Sequence, residues 1–280
     1  MMNNLLDGAY DLHFHTAPDV NERKCSDLTA AKRWKAAGMK GGLIKCHYAD
    51  TTGRAAVLRE LFPELTVVGG LVLNRQAGGL NPDAAERCGQ AGGRFLWFPT
   101  LDARCYQSFR RGHDTGCDLS PYLSILGGDG RLLPQVYEIF ESVKQYGMIL
   151  CTGHLGPAEG MILLREAGRC GIKRMVITHA DNPANHYSLE EQRECVSMGA
   201  VVEHSYFTTY FNRTSWEDLT AQIHGIGASH IYLTTDFGQT ESPFSDEGME
   251  LYANGLLEHG ITPEELELMI RRNPEELLQG

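Results

Sequence analysis

The chain has 280 residues, 42% of them hydrophobic and 22% charged, which is enough to bury a sizeable core. A formal charge of −11 argues against the basic face that a nucleic-acid surface needs, and no apolar run reaches the roughly 18 residues that span a bilayer. The opening "MMNNLLDGAYD" lacks the basic and apolar regions of a secretory leader, so the expectation is a cytoplasmic protein with neither nucleic-acid nor membrane partners.

In chain order, "AYDLHFH" (9–15) is the first run of strand length, followed by "SDLTAAKRWKAAG", a helix opening on Ser/Asp and closing on Gly38. "GLIKCHY" (42–48) and "TVVGGLVLN" (66–74) are the second and third strands. "NPDAAERCGQAGG" then places Pro82 in the first turn of a helix and a glycine pair at its end. "RFLWFPTLDA" (94–103) is the fourth strand. Residues 104–132 hold no clear amphipathic helix and include "SILGGDGRLLP", whose Gly-Asp-Gly suits a hairpin turn.

Strand-like runs resume with "MILCTGHL" (148–155) and "RMVITHAD" (174–181). "SLEEQRECVSMG" carries Ser188 and Glu191 at capping-box spacing, ahead of "AVVEHSYF" (200–207) and "HIYLTTDFG" (230–238). The last helix, "TPEELELMIRRNPEELL", begins Thr-Pro and is expected to break at Pro274. The eight runs are β-branched or aromatic-rich and mostly continuous, as strands covered on both faces of a parallel sheet would be. Strand and helix repeated eight times predict a single (β/α)8 TIM barrel over 1–280, with the 104–132 insertion over its C-terminal mouth. A doubly wound sheet shares that periodicity, which does not itself show closure. The eight cysteines include no Cys-x-x-Cys pair and read as reduced thiols.

Chemistry gathers at the strand ends. His13 and His15 stand at i and i+2 of the first strand and share a face. His154 ends the fifth strand, His179 the sixth and Asp236 the eighth. In a closed parallel barrel all five open on one face, and imidazole and carboxylate are the ligands of catalytic zinc and similar ions. Taken singly, a strand-end histidine is more often a hydrogen-bonded structural residue; the set of five argues for a site.

This set, in this order, resembles the amidohydrolase superfamily, and "RRNPEELLQ" is similar to the Asn-Pro-x-x-Leu-Leu element near the C-terminus of many members. "TGHLGPAEG" and "TDFGQ" look like an uncharacterised branch of small barrels within it, a likeness that carries no substrate. The resemblance implies a metal-dependent hydrolase holding one or two divalent ions, zinc foremost. Two-metal members bridge their ions with a carboxylated Lys or a Glu after the fourth strand, where this chain reads "LWFPTLDA" with neither. Two readings follow. In a mononuclear site His13, His15, Asp236 and one of His154 or His179 bind the ion, and the other His orients or protonates. Alternatively Lys45, at the end of the second strand, bridges as a carbamate; it would otherwise be salt-bridged or grip an anionic substrate.

In either reading Asp236 takes the proton of a metal-activated water, and His179 or His204 assists at the developing oxyanion. His204 follows Glu203 on the seventh strand, where one of the two faces inward; we assign His204 to that face. Arg75, Arg104, His47 and Tyr106 are candidate substrate contacts, and the arginines suggest a small molecule carrying carboxylate or phosphate. His113 and Asp114 read as turn chemistry. The expected reaction is cleavage of a C–N, ester or lactone bond. A decarboxylase or hydratase on the same scaffold is the alternative, and a homo-oligomer is compatible with either. A metal-dependent phosphoesterase also begins His-x-His, but "TTDFGQ" lacks the His its last motif carries beside Asp.

Overall fold

The computed structural model describes residues 5–279; Met1–Asn4, part of the segment read above for a leader, lie outside them. Its strands are β1 (Tyr10–His15), β2 (Gly41–Lys45), β3 (Thr66–Val68), β4 (Gly70–Val72), β5 (Phe95–Trp97), β6 (Ile149–Cys151), β7 (Met175–Ile177), β8 (Ala200–Ser205) and β9 (Ile231–Thr234). All eight expected runs hold a strand. The third is divided at Gly69, where an added Cβ would lie 2.6 Å from the Thr51 carbonyl oxygen. On either side of that approach β3 pairs with β2, and β4 with β5. The described chain divides into two compact units: residues 5–46, 51–69 and 203–279 form the first, 47–50 and 70–202 the second.

In the first unit β1, β2 and β3 run parallel, with His15 abreast of Lys45. One extra β1 residue between Asp11 and Phe14 shifts the register, a bulge of the kind that re-aims side chains. On the other edge of β1, His15 N–H donates to the Phe237 carbonyl and Asp236 N–H to that of His13, both at 2.8 Å. These bonds dock the chain after β9 against β1. The helix Asp27–Ala36 starts where Ser26 caps it, its hydroxyl accepting from Thr29 N–H. That helix buries Trp34 edge-on against Phe14, with the indole N–H donating to Ser245 Oγ at 2.8 Å.

Pro274 does not break the last helix. Leu268–Arg272 widens into a π-turn, in which Asn273 N–H reaches the Leu268 carbonyl, and Pro274 sits in the first turn of the helix Asn273–Gln279. The wider turn avoids the clash between a proline ring and the carbonyl four residues back. Asn273 Nδ2 donates to the Ala228 and Ile231 carbonyls at 2.7 and 2.6 Å, so the Asn-Pro element pins the C-terminal helix to the start of β9.

In the second unit β4, β5, β6, β7 and the first half of β8 are parallel neighbours in sequence order. Helices Pro82–Gln90, Pro134–Tyr146, Pro157–Arg169 and Leu189–Ser197 alternate with them. Ser188 and Glu191 close the expected capping box. The 104–132 segment does contain a helix, Arg104–Arg110, too short to show an apolar stripe in the sequence. After it, Leu126 and Leu132 bridge antiparallel around the expected Gly-Asp-Gly turn. Among the described residues the eight cysteines are free, and no helix is long and apolar enough to cross a membrane.

Candidate metal centre

Four of the expected residues meet in the first unit. His13 and His15, from β1, bring their Nε2 atoms to 3.1 and 3.2 Å from one oxygen, Asp236 Oδ1. The three ligand atoms lie within 4.8 Å of one another. Lys45, at the end of β2, places Nζ 2.8 Å from His13 Nε2 and is 1% exposed. The imidazoles are sealed from solvent, whereas the Asp236 side chain keeps 12% exposure and forms the open side of the group.

The backbone holds this geometry in several ways. Asp236 adopts φ +51°, the left-handed region where Asp and Asn are among the few non-glycine residues commonly found. Gly238, at φ +130°, lies so close to β1 that a Cβ would fall 2.1 Å from the His15 carbonyl oxygen. Beneath the site Asp11 is fully buried. Its carboxylate accepts from Thr235 N–H at 3.0 Å, Thr235 Oγ1 at 2.6 Å, Ser245 Oγ at 2.6 Å and, at 3.4 Å, His13 N–H. Burial pushes its pKa up to about 6 despite these donors. Burial also lowers the His15 pKa to about 3, aided by the Arg23 charge, so the ring is neutral at pH 7 as a metal ligand must be. Arg23 Nη2 stands 3.4 Å from His15 Nδ1 and is anchored by Asp19 at 2.7 Å.

Glu203 is a further residue of the group, one the sequence does not single out. Its Oε1 lies 2.9 Å from His13 Nδ1, and its Oε2 accepts from Tyr232 Oη at 2.6 Å. The expected residue on this strand is its neighbour His204, which is also fully buried. Successive side chains of a strand face opposite ways, and on β8 it is Glu203 that turns toward His13. A carboxylate behind a histidine's Nδ1–H leaves the Nε2 lone pair free to accept from Lys45 Nζ, 2.8 Å away, or to bind an ion. The signal was present in "VVEHSYF", but alternation alone does not say which of two adjacent polar residues faces in.

The second unit gathers His154 and His179, with ring centres 5.6 Å apart, and His47, whose ring centre is 6.0 Å from that of His154. His179 repeats the left-handed backbone of Asp236, at φ +49°. His47 lies beyond the end of β2, and its Nδ1 sits 2.8 Å from Thr100 Oγ1. Tyr106 packs its ring 4.8 Å from His154. Tyr106 and Arg75 also line a cavity of about 600 Å³, shared with Tyr48, Asp102, Arg110 and Arg111. Arg104 does not line it. Its guanidinium is spent on the Tyr122 carbonyl at 3.2 Å, because the first turn of its helix turns it outward. Asp114 accepts from Gly116 N–H, the expected turn chemistry.

A comparison with the curated proteins returns no match. Among solved structures, an amidohydrolase from Pseudomonas aeruginosa aligns at TM-score 0.68 and 11% identity, over 99% of this chain and 97% of that one. An amidohydrolase from Burkholderia multivorans with bound zinc aligns at 0.61 and 12%, over 96% and 98%. A 2,6-dihydroxybenzoate decarboxylase from Rhizobium aligns at 0.59 and 14%, over 98% and 99%. The likeness shows the fold: the α/β barrel class expected from the alternation of strands and helices. A family model described as "Family of unknown function (DUF6282)" matches residues 8–203, and the chain therefore belongs to the DUF6282 family.

Proposed function

We propose that this chain is a metal-dependent hydrolase that uses a metal-activated water to cleave a C–N, ester or lactone bond in a small anionic molecule. One observation carries the reading: two imidazole nitrogens and a carboxylate oxygen, contributed from β1 and from the chain after β9, converge as a buried group. The donor set fits a divalent ion such as zinc. His13, His15 and Asp236 would hold it. Lys45, with Nζ on a ligand nitrogen, would join as a neutral amine or a carbamate, because an ammonium there would repel the ion.

When bound, the ion supplies Lewis acidity, bringing a water pKa down to about 7 and polarising a carbonyl. The protein's own residues do the rest. Glu203, steadied by Tyr232, keeps His13 in one tautomer and orientation. Burial keeps His15 unprotonated. Asp236, the ligand open to solvent, accepts a proton at its carboxylate and returns it to the leaving group.

The test is metal analysis joined to turnover. Protein purified and dialysed against zinc should retain it with His13 and His15 intact. Chelation should abolish hydrolysis of a panel of amides, esters and lactones, and zinc should restore it. Chelated protein that keeps full turnover would refute the reading; a product lacking CO2 without net hydration would move it to decarboxylation. Glu203→Gln should weaken zinc affinity about 10- to 100-fold while the fold is kept, read by competition with a chelator. Unchanged affinity would show that Glu203 does not orient His13.

A further inference from the structure

The cavity that the 104–132 segment shares with Tyr48, Arg75 and Asp102 gathers more positive charge than its acidic chain would lead one to expect. Three guanidinium groups line it, from Arg75, Arg110 and Arg111, together with the rings of Tyr48, Tyr106 and Tyr122. Their roles differ. Arg111 is tied into its own segment: it donates to Tyr122 Oη at 2.7 Å and to the Gln107 side chain, and its guanidinium lies 4.9 Å from the centre of the Tyr122 ring. It stiffens the wall.

Arg75 and Arg110 are paired with no carboxylate among the described residues. Asp102, the acid lining the cavity, is committed to Arg75 through the backbone, accepting its N–H at 2.8 Å. Asn74 fixes the same junction from the other side, accepting from the backbone N–H of Thr100 at 2.9 Å and of Asp102 at 3.3 Å. Arg75 therefore enters the cavity from a stitched loop, and Arg110 from the end of a helix, where its side chain bonds to that of Tyr106. The volume, about 600 Å³, falls within the range of small-molecule sites and greatly exceeds what one inorganic anion fills.

We propose that this cavity is the recognition subsite for an organic anion that carries two acidic groups on a ring-sized body. Arg75 and Arg110 each fork onto one acidic group, and the tyrosine rings pack the body between them. Arg and carboxylate or phosphate make paired parallel hydrogen bonds that lysine cannot reproduce, so the residue type matters as well as the charge. Tyr106 serves both neighbourhoods, lining the cavity while its ring lies against His154. The inference deepens the proposed function by naming a substrate class, and rests on it only for the bond that reacts.

Binding is therefore measured apart from turnover. Calorimetric titration of the zinc-loaded protein uses benzene-1,2-, 1,3- and 1,4-dicarboxylate, with benzoate and inorganic phosphate as separate arms. At least one dicarboxylate should bind ten-fold or more tighter than benzoate and than phosphate. The Arg75→Gln/Arg110→Gln double variant should lose that advantage while keeping the parent's zinc content and melting temperature. Arg110→Lys should recover part of the affinity at most. No binding by any of the three dicarboxylates, equal binding by the double variant, or tighter binding of phosphate would each overturn the proposal. A failure of the hydrolase reading would show instead as dicarboxylate binding without turnover.

Discussion

Replacing Asp236 by Asn should lower kcat by about 10²- to 10⁴-fold, the range that a positioned proton acceptor contributes, while folding is unchanged and much of the metal stays bound. The substitution is clean for three reasons. Asn tolerates the left-handed backbone that Asp236 adopts at φ +51°. The Asp236 N–H bond to the His13 carbonyl, 2.8 Å, belongs to the main chain and survives. The amide oxygen can still face the His13 and His15 Nε2 atoms, which now stand 3.1 and 3.2 Å from the carboxylate. What disappears is the capacity to take up a proton at the open side of the group. The check is turnover, zinc content and melting temperature on the same preparations. Turnover near the parent level would remove Asp236 from the role of base and leave it as a ligand only.

Much of this site could be read from the sequence because its parts sit where strands end. His13, His15 and Asp236 close apolar runs whose β-branched and aromatic content marks them as strands, and parallel strands deliver their C-terminal ends to one side. Lys45 stood out because a lysine ending such a run needs a partner, and the structure supplies one in His13. The misses have local physical causes. Glu203 and His204 are both polar and adjacent, so choosing between them needs the pleat of β8, which the sequence does not display. Arg104 and Arg110 bracket one short helix, and which of them reaches the cavity depends on how that helix is set. Pro274 predicts a break because proline cannot serve an ordinary α-turn; a π-turn just before it removes the conflict. The role of Asp11 is not legible in the sequence. Nothing in "AYDLHFH" distinguishes a buried carboxylate with four donors from an acid on a wet face.

Asp11→Ala is accordingly expected to be the most destabilising single change near the site, by about 3–5 kcal/mol, since it strands buried donors that now have a charged acceptor. The Thr235 N–H cannot turn elsewhere, and the hydroxyls of Thr235 and Ser245, each 2.6 Å from Asp11 Oδ2, lose a shared partner. Ser245 is also the acceptor for the Trp34 indole, so the disturbance reaches the packing beneath β1. For a chain of this size the loss corresponds to a melting temperature lower by roughly 6–20 °C. Asp11→Asn keeps the shape and one acceptor oxygen, and the hydroxyls can rotate to suit the amide, so its cost should be about 1 kcal/mol. Because Thr235 precedes Asp236 in the chain, the alanine variant should lose zinc together with stability, whereas Asp236→Asn loses turnover alone. Thermal and urea unfolding of the two Asp11 variants decide the matter. If alanine and asparagine melted together, within a degree or two of the parent, the buried carboxylate would not be what docks the chain after β9 onto β1, and the convergence of Asp236 with the two histidines would need another cause.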